Sequence, residues 1–226
     1  MRALRVLRLA SPLWIVWVTT MTAQVDGDVE RALAAARARA AAGDAVAQFS
    51  LGALLYYGGS DLAEAVDWLQ KAAAQGQPDA EFHVGQLFDF GFGVVQDERL
   101  ALEWYRKAAD HGSAAAQRAV GDFYRTGRGT SADAAAAARW YRLGADGDDI
   151  RAQFQLGQMY FTGTGVTLDY EAAYLWFSLA ASQAPLLDNR KELIELRNIA
   201  AARMSAAQAA VAEQRVSAWK PRHLRR

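Results

Sequence analysis

Ala65-Val-Asp-Trp-Leu-Gln-Lys-Ala-Ala73, Ala101-Leu-Glu-Trp-Tyr-Arg-Lys-Ala-Ala109, Ala137-Ala-Arg-Trp-Tyr-Arg-Leu-Gly-Ala145 and Ala173-Tyr-Leu-Trp-Phe-Ser-Leu-Ala-Ala181 are four versions of one segment, set 36 residues apart. Trp68, Trp104, Trp140 and Trp176 keep that spacing, as do Asp61, Asp97, Asp133 and Asp169. Self-similarity at a fixed period of this size marks a repeat architecture. A second block precedes each segment: Ala47-Gln-Phe-Ser-Leu-Gly52, Ala80-Glu-Phe-His-Val-Gly85, Ala116-Gln-Arg-Ala-Val-Gly121 and Ala152-Gln-Phe-Gln-Leu-Gly157. Its glycines stand 33, 36 and 36 apart, so the first unit is three residues shorter, between Gly52 and Asp61.

Between the two blocks lie Gly91-Phe-Gly93, Gly127-Arg-Gly129 and Gly163-Thr-Gly165. Two glycines two apart after a helical stretch suit a helix end followed by a tight reversal. Each unit therefore reads helix, glycine turn, helix. On the first helix the alanine, the Leu or Val and the residue three after glycine (Leu55, Phe88, Tyr124, Tyr160) share one face at about 100° per residue. On the second helix the alanine, the tryptophan and the later alanine form the complementary stripe, which makes the tryptophans packing residues. The four aspartates stand where the second helices start, and Asp is a preferred capping residue, so they read as caps.

These blocks resemble the Sel-one-like repeat family, relatives of tetratricopeptide repeats, with units of Ala-Gln-x-x-Leu-Gly, Tyr-x-x-Gly-x-Gly, Asp and Ala-x-x-Trp-Tyr-x-x-Ala-Ala. Four units span residues 44–183, and residues 24–43 contain a lone second helix as an N-terminal cap. The resemblance implies an all-α fold, an α-solenoid or right-handed superhelix of helix–turn–helix repeats with terminal capping helices. It implies a non-enzymatic adaptor binding a protein or peptide, with bacterial exported members serving the cell envelope. A cysteine-rich branch of the family is tied to β-lactam binding or hydrolysis, and this chain has no cysteine.

Outside the repeats, Arg2, Arg5 and Arg8 precede an apolar stretch from Leu9 to Val18 and a small-residue exit at Ala23. That order predicts a signal peptide over residues 1–23 and an exported, periplasmic or secreted product. An uncleaved inner-membrane anchor is the alternative, and the only membrane contact expected. At the other end, residues 184–218 predict capping helices, with Ser205 to Gln208 as a capping box, and residues 219–226 a basic tail. The 25 basic and 25 acidic residues cancel, unlike the basic footprint of a nucleic-acid binder. Without cysteine there are no disulfides, thiol catalysis or Cys-based metal sites. His83, His111 and His223 lie apart, and no nucleophile elbow or phosphate loop is present. No cofactor, metal or catalytic residue is expected.

A stack of helix pairs leaves a concave surface lined by first helices, and such surfaces bind polypeptides. Opposite the packing stripe, the positions three before, one after and four after each glycine hold Phe49, Ala53 and Tyr56; Phe82, Gln86 and Asp89; Arg118, Asp122 and Arg125; and Phe154, Gln158 and Phe161. They form a candidate binding strip, aromatic at both ends and charged in the middle. The alternative reading packs its phenylalanines on the next first helix.

Overall fold

A helix begins where something satisfies its free backbone N–H groups, and both helices of every unit carry such a cap. In the computed structural model, which describes residues 31, 33–58, 61–183 and 190–219, Asp61, Asp97 and Asp133 accept from Glu64, Leu100 and Ala136 N–H, and Asp169 from Ala172 N–H. First helices are capped by Asp44, Gln77, Ser113 and Asp149. That set is hidden in the sequence because three residue types share the task. Gly91, Gly127 and Gly163 end the first helices at φ of 71°, 76° and 72°.

The helices run in chain order: α1 (33–41), α2 (Ala45–Gly58), α3 (Leu62–Ala74), α4 (Pro78–Phe90), α5 (Glu98–Asp110), α6 (Ala114–Thr126), α7 (Ala134–Asp146), α8 (Ile150–Thr162), α9 (Tyr170–Gln183), α10 (Arg190–Ala201) and α11 (Ala206–Ala218). No strand occurs among the described residues. The pairs α2–α3, α4–α5, α6–α7 and α8–α9 form the four units, and each second helix also packs on the next first helix. The chain is thus an all-α solenoid. The expected signal peptide, the segment 184–189 and the tail from residue 220 lie outside the described residues. No described helix is long and apolar enough to cross a membrane.

The glycine of each first helix makes room for a side chain. A Cβ built on Gly85 would stand 2.6 Å from Tyr105 Cδ1, and one on Gly121 2.7 Å from Tyr141 Cδ1; Leu69 and Phe177 press likewise on Gly52 and Gly157. The most buried large residue of each second helix is therefore the one after the tryptophan. This corrects the expected stripe: Trp176 alone of the repeated tryptophans is fully buried, whereas Trp68, Trp104 and Trp140 are half-buried. Their packing is between units. Trp104 rests on the α3–α4 core, Trp140 on the α5–α6 core and Trp176 on the α7–α8 core.

A second correction has the same cause. Leu87, Phe123 and Met159 are buried, while the expected Phe88, Tyr124 and Tyr160 are half-buried. The preceding second helix covers α4, α6 and α8 as well, which turns their buried stripe by one residue, whereas in α2 the expected Leu55 is buried. Buried glutamines tie units together: Gln48, Gln117 and Gln153 donate to the carbonyls of Ala40, Ala109 and Ala145, at the end of the preceding second helix. Helix α1 thus acts as the second helix of a half unit.

At the far end α10 and α11 both pack on α9, and Ser205 and Gln208 form the expected capping box. Trp219, assigned from sequence to the tail, instead packs edge-on against Trp176 with ring centroids 6.3 Å apart. Its indole covers apolar surface that the last unit would otherwise expose.

Candidate functional site: the face of the first helices

The strip read from the sequence divides into three zones. At its start, Phe49 packs on His83 of the next first helix, with centroids 5.3 Å apart, and Phe82 on Tyr105 at 5.5 Å. Tyr56 lies against Tyr57 and Phe92. All three predicted aromatics are half-buried. The neighbours missed by the sequence reading are the exposed ones: Tyr57 at 72%, Phe90 at 56% and Phe92 at 45%. Phe92 stands between the paired glycines, where the third and fourth units carry Arg128 and Thr164, and that contrast was the available signal. Tyr57 hydroxyl lies 3.1 Å from His83 Nε2, while His83 Nδ1 donates to the Asp79 carbonyl.

In the middle, the charged residues serve the fold first. Asp89, expected as a partner contact, is 5% exposed. Its carboxylate accepts from the Tyr105 hydroxyl at 3.1 Å and pairs with Arg128, which also reaches Glu98 at 2.8 Å. Asp122 accepts from the Tyr141 hydroxyl at 2.7 Å and from Arg118 at 2.9 Å. Arg118 lies also 3.4 Å from Asp149, the cap of α8. Reversing the charge of Arg118 would therefore strike the fold as well as the surface. Arg125 is exposed, with Nε donating to Tyr141 at 3.1 Å, so it can meet a partner.

Burial, and then the charges of Asp89 and Asp122, push the Tyr105 and Tyr141 hydroxyls well above their ordinary range. Burial disfavours the charged phenolate, and a carboxylate neighbour repels it. Both tyrosines stay neutral donors and are unsuited to acid–base work near neutral pH. At the last unit Phe154 and Phe161 pack on Phe177, and Phe161 also on Tyr170. Here the phenylalanines pack inside the array, but on α9, the second helix of their own unit, and not on a next first helix as in the alternative reading. Gln86 and Gln158 are half-buried along the same face. Among the described residues no three His, Asp or Glu side chains are grouped to hold a metal.

Stacked helix pairs with a continuous face of first helices define a helical-repeat scaffold. The Sel1 repeat profile matches residues 45–77, 78–113, 114–149 and 150–185, and the chain belongs to the Sel1 repeat family. It is similar to a Sel1 repeat protein from Oxalobacter formigenes, at 36% identity and a TM-score of 0.69 over 83% of this chain and 78% of that one. It is also similar to c5321, a protective antigen of uropathogenic Escherichia coli strains with an SLR fold, at 30% identity and a TM-score of 0.52. That likeness covers 78% of this chain and 45% of the antigen. Comparison with curated proteins returned no match. Sel1 repeats typically mediate protein–protein interaction and serve as scaffolds without catalysis.

Proposed function

We infer that this protein is an exported scaffold that holds a polypeptide partner on the first-helix face of its first two units. The observation that carries the reading is the exposed aromatic cluster of Tyr57, Phe90 and Phe92, backed by the half-buried Phe49, Tyr56 and Phe82. Rigid aromatic rings anchor interfaces with few rotatable bonds, and a contiguous exposed apolar patch marks an interaction surface. Leu54, exposed in α2 where Leu87, Phe123 and Met159 are buried in later units, extends the patch. The middle zone supplies Arg125 as a charged contact, and the last zone is consumed by packing. Polypeptides selected by display against the full chain should bind the parent at least about tenfold more tightly than a Tyr57→Asp, Phe92→Asp variant of unchanged helicity. Equal affinities would end the assignment.

Export rests on the arginines, apolar stretch and small-residue exit of residues 1–23. The protective-antigen description of the Escherichia coli relative is in keeping with it. A reporter fused after Ala23 should be active outside the cytoplasm, and activity confined to the cytoplasm would overturn the location. Recovery in the membrane with an intact N-terminus would make the scaffold an anchored one.

A further inference from the structure

The residue at the end of each second helix, seven after the tryptophan, normally covers the buried polar side chain near the start of its unit's first helix. Gln75 donates to Gln48 at 2.7 Å, His111 Nδ1 lies 2.7 Å from Glu81, and Gln183 reaches Gln153 through the shared carboxylate of Asp148. In the third unit this place belongs to Gly147, which has no side chain to lay over Gln117. A cleft of about 580 Å³ lies there, lined among others by Asp110, His111, Gln117, Trp140, Leu143 and Gly147. It sits on the edge of the array opposite the glycine turns, away from the aromatic face.

A second departure from the repeat falls in the same cleft. The first two repeated tryptophans carry their own cation three residues on, Lys71 over Trp68 at 4.4 Å and Lys107 over Trp104 at 3.8 Å. Arg142 lies over Trp176 at 5.1 Å. At Trp140 the residue three on is Leu143, and among the described residues no cation stands over this ring. Asp110, on the rim, is in no ion pair among the described residues. Lys107, one turn earlier on α5, is held over Trp104. Helices α5 and α7 both end at this cleft, and helix C-termini favour positive charge.

We propose that the cleft binds an organic cation, an ammonium or guanidinium group on an apolar stem. Its charge lies over the Trp140 face and beside the Asp110 carboxylate, and its stem rests on Leu143. The volume suits a small ligand or one long side chain. An indole face attracts a cation, more strongly as the site excludes water. Where earlier units satisfy their tryptophan from within, the third leaves the position to a ligand.

The test follows the Trp140 indole N–H resonance of the full chain while n-butylammonium chloride or neutral n-butanol is added. The ammonium should give a saturating shift and the alcohol none. Asp110→Asn should weaken binding by about tenfold. Leu143→Lys, which restores the internal cation, should weaken it by about tenfold or more. Asp110 is exposed and Leu143 half-buried, and unchanged helicity confirms that the fold is intact. Acetyl-Ala-Lys-Ala-amide separates the sources: an equal shift identifies a polypeptide side chain as the occupant, whereas response to the free amine alone identifies a small amine. A shift with butanol as large as with the amine, no saturable shift with either, or parental affinity in Leu143→Lys would overturn the proposal.

Discussion

Single positions decide how closely the helices approach, and Gly121 is the clearest case. A methyl group there meets the Tyr141 ring at 2.7 Å, and the ring is fully buried with its hydroxyl tied to Asp122. Gly121→Ala should lower the unfolding free energy by about 1–3 kcal/mol in urea titration, the range for overpacking a tight core. A neutral effect would mean that the ring is free to move aside. The same tyrosine predicts an alkaline limit. Tyr105 and Tyr141 ionise in the unfolded chain near the ordinary value of 10.0, and their folded values are raised above it. Their contribution is complete below about pH 10 and lost as pH rises beyond it. Unfolding measured from about pH 9 to about pH 11 should show a falling stability that flattens in Tyr105→Phe, Tyr141→Phe. The glycine was legible as a close-approach point because it recurs. What approaches it was less legible, since tryptophan is the larger residue and drew the core assignment away from its neighbour.

The helices show a similar division between what repeats and what substitutes. Period and turn chemistry locate both helices of every unit. The aspartate caps were readable because one residue type recurs, whereas Asp44, Gln77, Ser113 and Asp149 do one job with three side chains. The tryptophans were readable as packing residues but not in their depth, which depends on contact with the preceding unit. Their substitutions should therefore be graded. Trp176→Ala should cost about 3–5 kcal/mol, the range for a large residue lost from a full core. Trp68→Ala should cost about 1–2 kcal/mol, since that ring is half-buried. Trp219→Ala should also register, by about 1–2 kcal/mol, because it uncovers Trp176. Urea midpoints that are equal across the three variants would contradict the inter-unit role.

Across the whole molecule the units share a scaffold and differ in what they present. The array supplies its own stability through second-helix to first-helix cores, so side chains on the first-helix face and at the unit ends are available for other uses. The strip was legible as a set of positions because the repeat fixes their geometry. Its working part was not, since Phe49, Asp89, Arg118 and Phe154 all turn out to be engaged inside the array. Tyr57 and Phe90 occupy an exposed repeat position where the later units carry Thr126 and Thr162, and Phe92 is the variable residue between two repeated glycines, so the aromatic cluster comes from substitution at positions the repeat leaves open. The proposed binding face thus centres on the first two units, with exposed Arg125 of the middle zone as a charged contact. Hydrogen exchange of the full chain, with and without a display-selected polypeptide, tests this claim most directly. New protection should appear in α2, α4 and the turn that carries Phe92, and protection confined to the second helices or to α10 and α11 would contradict it.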